Sequence, residues 1–381
     1  MRPPADEGAV MSEKPVIDAR PRLFHTLDAL RGVAALLIVT RHSDRLFGGL
    51  DLPESWLAVD LFFVMSGVVI AHSYEERLLN GASPLKFILL RVIRLYPLYL
   101  IGITAGFVQY IGHEYQKGGA SHAWVATAMQ ALFLALLMAP SFNLPALDGP
   151  RWSLFFEMVA NIAYGLFARA MTTARLCGLV ALSAVGLAYV ALVRHDLSGG
   201  YQADLLYVGL LRVSYSFFLG VLILRLWKPR VRHAPLPAWL CVAAVCLTLA
   251  VTIPAPWQAA YELAMVLVGF PLIVACAMRF DVGGATNRIF SFLGVTSYAI
   301  YILHHPCALL FQAVLHRVTG RSADALSPYG GILFIILLIG ACWFLDKAYD
   351  QPVRIWLRAR LGSIGGQRPR LSRTVEGVMP S

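Results

Sequence analysis

Two side chains able to do chemistry bracket an apolar run in the stretch 27–48, LDALRGVAALLIVTRHSDRLFG: Arg31 and His42. On a helix their eleven-residue spacing is three turns and about 20°, so they share one face about 16 Å apart. Asp28, three residues before Arg31, falls on the same stripe and can pair with it. Inside a membrane such groups bind anions or relay protons, and each costs about 2.5 kcal/mol or more unless protein or water receives it. Snorkelling of each tip to the nearer interface would account for these two alone. It does not serve Asp60, Glu157, Arg212, Glu262, His304 and His305, all of which also sit in apolar surroundings. The sequence therefore predicts a central polar pocket in which several of these groups meet.

The elements that must position them are membrane helices. Of 381 residues, 58% are hydrophobic and only 14% charged, far below the roughly 25% charge of a soluble domain. Windows long enough for a hydrocarbon core of about 30 Å fall near 27–47, 56–74, 87–110, 152–170, 175–193, 205–226, 237–253, 258–279, 291–315 and 330–349. The fold class is thus all-α, a polytopic membrane bundle of about ten transmembrane helices. Lys and Arg gather in the N-terminal lead, in the second connection, after Arg225 and in the tail, which marks these as cytoplasmic. Both termini inside require an even number of crossings. The weaker window 123–140 is accordingly expected to be a re-entrant or interfacial helix on the outer side. His42 then lies toward the outer end of the first span and Arg31 near its cytoplasmic end.

Residues 1–23 lack an apolar core and read as a flexible cytoplasmic segment rather than a cleaved signal peptide. Residues 24–352 form the transmembrane domain, and 353–381 a basic cytoplasmic tail too short to bury a core of its own. The net charge of +10 belongs to short loops and the tail, which argues for membrane lipid and against nucleic acid as a partner. The six cysteines all lie in apolar runs without metal-ligand spacing, so no metal site is expected.

In order along the chain, the polar residues resemble those of acyltransferase family 3, integral-membrane O-acyltransferases. The resemblance runs from about residue 22 to 354. It rests on Arg31 with His42; on Asp60, Phe62, Phe63, Ser66 and Gly67 in "DLFFVMSG"; and on Arg91, Arg94 and Pro97 in "RVIRLYPLY". It continues with Trp152, Ser153 and Glu157 in "WSLFFE", Arg212 with Phe218 and Gly220, and Ser297, Tyr298, Tyr301 and His304 in "SYAIYILHHP". Where the family often has Glu-x-Pro, this chain has Asp350, Gln351 and Pro352, and Val68 stands where an aromatic often follows "SG".

The resemblance implies transfer of an acyl group, commonly acetyl, from acyl-CoA to a hydroxyl of a carbohydrate or lipid-linked glycan in the bacterial inner membrane. A sugar hydroxyl needs a base within about 3 Å as it attacks the thioester, and a neutral imidazole suits that task. His42 is the expected base. Arg31, Arg91 and Arg94 are expected at the CoA end, where guanidinium groups match phosphate; for the latter two, anchoring to lipid headgroups is the alternative. Ser66 and Gly67 are expected against the donor, glycine allowing close backbone approach. Glu157 would orient the histidine or bind acceptor hydroxyls, or else pair with Arg212. Asp60 would hold Arg31 or a backbone donor. Trp152, Arg212, Tyr298 and His304 are expected on the acceptor side, with Tyr298 or His304 able to serve as an oxyanion donor. A secondary transporter with an intramembrane Arg/His/Glu site is the rival reading, and a non-catalytic glycan-binding subunit a second. A transporter of this kind favours repeated halves and broken helices, and the sequence displays neither.

Overall fold

A computed structural model describes residues 24–50, 52–117, 123–140, 144, 147, 149, 151–227 and 229–364. The lead 1–23 and the tail beyond 364 lie outside the described residues. The chain folds as α1 (His25–His42), α2 (Ala58–Leu79), α3 (Pro84–Gln116), α4 (Ala123–Leu136) and α5 (Arg151–Phe167), followed by α6 (Thr173–Arg194), α7 (Leu206–Leu226) and α8 (Pro235–Ala250). α9 (Gln258–Ala264) runs through a π-turn at Met265–Gly269 into α10 (Phe270–Arg279), and α11 (Gly284–Thr319) follows. α12 (Tyr329–Leu345) passes through a second π-turn, Asp346–Asp350, into α13 (Gln351–Ile364). Strand among the described residues is limited to β1 (Arg232–His233) pairing in parallel with β2 (Phe280–Asp281). The architecture is an all-α membrane bundle, and every window expected to cross overlaps one of its helices, although the first, 27–47, outlasts α1, which ends at His42.

Among the described residues, seven helical stretches are long and apolar enough to cross a membrane by length and composition. The other three expected windows form α1, α5 and α8, of 18, 17 and 16 residues, at the short end for a core of about 30 Å. α1 keeps Asp28 in its first turn and Arg41 and His42 in its last, the arrangement the helix dipole favours. α3 begins where the Ser83 side chain accepts from the Lys86 N–H at 3.4 Å and Pro84 occupies the first turn, where its missing N–H costs nothing.

α4 packs along α3, and the chain turns back after it. Its last carbonyls, at Ala135 and Leu136, accept from the hydroxyls of Tyr99 and Tyr96 at 2.7 Å each, near mid-height of α3. These are carbonyls a helix end leaves without intrahelical partners. The chain reverses through Met138 at φ 54°, and Leu147 then packs against Gly106 further along α3. The last helix differs from expectation in length. Instead of ending near 349 it continues to Ile364, supported by Arg354 binding back to Asp350 at 2.9 Å and to Asp346 at 3.4 Å.

Two helix pairs set the frame. α1 and α11 run parallel, joined at one end by His25 Nδ1 and Ser291 Oγ at 2.7 Å and at the other by His42 and His304. α2 crosses α7 at Gly67 and Gly220, where a Cβ on either residue would run into the facing backbone. α2 is the most enclosed span, 72% of its apolar window being buried against 33% for α6. It is therefore a central helix, with α6 on the lipid side, where Leu182, Tyr189 and Leu192 are exposed.

Candidate active site

α1, α2, α3, α5 and α11 leave between them a cavity of about 170 Å³, lined by Arg31, Phe62, Ser66, Arg91, Arg94, Glu157, Tyr298 and Tyr301 among others. The arginines come from a shared face of α1 and from the first half of α3, where positions 91 and 94 are one turn apart. Each has one carboxylate near it. Arg91 Nη2 lies 3.3 Å from Glu157 Oε1, which also accepts from Ser66 Oγ at 2.8 Å. Arg31 reaches Asp28 at 3.5 Å and Arg94 reaches Asp350 at 3.6 Å, too long for strong hydrogen bonds. Arg91 Nε is a buried donor with no partner among the described residues. The Arg94 guanidinium lies 5.3 Å from the centre of the Tyr298 ring, whose hydroxyl donates to the Leu95 carbonyl at 2.5 Å. The cavity thus presents three cations whose nearest carboxylates stand 3.3 to 3.6 Å away.

At the other end, His42 is exposed and His304 fully buried. His42 Nδ1 and His304 Nε2 are 2.8 Å apart. Between this pair and the cavity stands Tyr301. Its hydroxyl and that of Ser153 are 2.6 Å apart, its ring meets Phe62 edge-on at 5.4 Å, and its ring centre is 6.3 Å from that of His304. A wall of hydroxyls and aromatic rings therefore separates the arginine cavity from the exposed imidazole.

Residues 24–347 match the model of the acyltransferase domain. The chain belongs to acyltransferase family 3. Among relatives, a Rhizobium radiobacter protein named "Protein 2 in picA locus" is 37% identical over 195 residues, 48% of this chain and 98% of that one. A Komagataeibacter xylinus protein named as a membrane-bound transacylase, BcsY, is 28% identical over 324 residues, 82% of this chain and 79% of that one. No solved structure matches.

Of the residues expected at an acyltransferase site, Arg31, Ser66, Arg91, Arg94, Glu157 and Tyr298 meet in the cavity, and His42 with His304 form the pair beyond it. Four others are placed elsewhere. Asp60 accepts from Arg212 Nε at 3.1 Å and Nη2 at 2.5 Å, both residues being 0% exposed. The pair is closed on itself, so Asp60 does not hold Arg31 and Glu157 does not pair with Arg212. Trp56 and Trp152 lie over the Arg212 guanidinium at 4.7 and 5.5 Å, which puts Trp152 to packing and cation–π contact with a buried charge. Gly67 faces α7 rather than the cavity, its missing Cβ serving the helix crossing.

Ser153 and Tyr301 match the family pattern, but the sequence alone assigns them no place in the site. Tyr301 precedes His304 by three residues and so shares its helical face, a signal available in the sequence. Arg354 falls within the expected tail. It shares Asp350 with Arg94, a contact the π-turn makes possible and no local spacing announces.

Proposed function

We propose that the protein moves an acyl group, acetyl in the simplest case, from acyl-CoA to a hydroxyl of a carbohydrate or lipid-linked glycan, with His42 as general base. The observation that supports this best is a narrow arginine-lined cavity ending one layer of side chains short of an exposed imidazole. At about 170 Å³ the cavity is smaller than the roughly 300 Å³ and more of sites that enclose a whole ligand. It suits a slender thioester arm, leaving the CoA phosphates at the mouth near Arg31, Arg91 and Arg94. The name of BcsY as a transacylase points the same way. The Lys and Arg pattern supports an inner-membrane protein with cytoplasmic termini, hence a cytoplasmic donor end.

In the reaction, the acceptor oxygen attacks the thioester carbonyl carbon while its proton passes to His42 Nε2. The C–S bond breaks, the CoA thiolate leaves, and the proton on His42 returns to that sulfur, giving the ester and free CoA. The test is CoA release by purified protein with acetyl-CoA and a glycan acceptor. His42→Ala lowers kcat by about 10²- to 10⁴-fold, and Arg31→Ala raises the acetyl-CoA KM. Equal release by wild type and His42→Ala would remove the base; the opposite split of kcat and KM would undo the two-end assignment.

A further inference from the structure

Among the described residues His42 is bonded through only one of its two ring nitrogens, and the geometry around His304 decides which proton it carries. His304 Nδ1 lies 2.8 Å from the Tyr301 carbonyl and 3.2 Å from the Ile300 carbonyl. Carbonyl oxygens only accept, so Nδ1 of His304 bears the hydrogen and, in a neutral ring, Nε2 bears the lone pair. His42 Nδ1, at 2.8 Å from that lone pair, must then be the donor. The rings are set for this bond: their planes are 7° apart and their centres 5.1 Å apart. A separation that long, with nitrogens 2.8 Å apart, requires both nitrogens to lie on the line between the ring centres. The rings are therefore edge to edge and the N–H points straight at the lone pair. Pro306 is also in α11, where it has no N–H for the Ile302 carbonyl, and His304 itself is fully buried. Its ring is fixed by two backbone acceptors and by packing.

We infer that His304 is a positioning residue: it holds His42 in the Nδ1–H tautomer and leaves His42 Nε2, to which no other described residue bonds, as the bare nitrogen facing the acceptor. This rests on His42 being the base. It gives His304 a different task from binding the acceptor or donating to an oxyanion, since both its nitrogens are engaged within the protein. The arrangement follows the logic by which a third group orients the histidine of a hydrolase triad, but with a neutral imidazole as the orienting group. When Nε2 of His42 takes the acceptor's proton, the cation formed keeps its Nδ1–H on the His304 lone pair, so the charge develops against an acceptor already in place.

The experiment combines steady-state kinetics with nitrogen NMR of imidazole-labelled full-length protein in lipid nanodiscs. Wild type is expected to show His42 protonated at Nδ1. In His304→Leu the His42 signal moves toward the Nε2–H form, kcat falls by about 10- to 100-fold, the range for a lost orienting partner, and the acetyl-CoA KM stays within twofold. His304→Gln, which offers an amide oxygen near the former Nε2, recovers at least part of that rate; it also serves if the leucine variant does not fold. An unchanged His42 tautomer with undiminished kcat in His304→Leu, while His42→Ala is inactive, overturns this inference and leaves the base intact. Full activity in His42→Ala overturns the base itself.

Discussion

At the scale of single residues, the bundle holds charges that are cheap to keep only in pairs. Asp60 and Arg212 are the clearest case, each fully buried and each the other's counter-ion. Removing one partner leaves a charge stranded, so Asp60→Ala is expected to cost about 3–5 kcal/mol, whereas the apolar double variant Asp60→Leu/Arg212→Met recovers most of it. Thermal unfolding of the purified variants in one detergent checks both. Arg91 is different, because its partner Glu157 also serves Ser66 and its Nε has no partner among the described residues. Arg91→Ala is expected to raise the acetyl-CoA KM by about 10-fold or more, the value of a charge-assisted hydrogen bond, with kcat changed less. The sequence made the Arg31–His42 stripe and the Asp28–Arg31 pair legible, because both follow from positions on one helix. It could not reveal that Asp60 meets Arg212 or that His42 meets His304. Those partners are 152 and 262 residues apart, and which helices stand side by side is decided by packing across the bundle.

At the scale of helices, close approach decides the frame. The α2/α7 crossing depends on the absence of side chains at Gly67 and Gly220. Gly67→Ala is expected to destabilise by about 1–3 kcal/mol as an overpacked contact. Gly340→Ala, whose Cβ would meet open space, should stay within about 0.5 kcal/mol; comparing their unfolding midpoints separates crowding from a general intolerance of alanine. Hydropathy locates the helices that fill the expected windows, because an apolar window long enough for a bilayer admits little else. The resemblance puts Gly67 against the donor, whereas its role depends on a neighbouring helix rather than on its own flanks. The apolar pattern ends the last helix near 349, short of Ile364, because the π-turn of Asp346–Asp350 is held by ion pairs to Arg354 rather than by apolar residues.

At the scale of the whole molecule, α1 and α11 run in parallel through the bundle and give it two chemically distinct ends. If the donor end is cytoplasmic, a cysteine introduced at Gly49, near the His42 end, is labelled by an impermeant thiol reagent in intact cells, and one at Asn80 only after permeabilisation. Reversed labelling would invert the proposed orientation.

The Tyr301–Ser153 contact, with Phe62 packed against it, has a consequence for an idle enzyme. An activated thioester within reach of an exposed imidazole would be spent on water. A partition that parts only for the acceptor conserves it, so Tyr301→Ala is expected to raise acceptor-independent thioester hydrolysis relative to productive transfer, as seen by comparing CoA release with and without glycan.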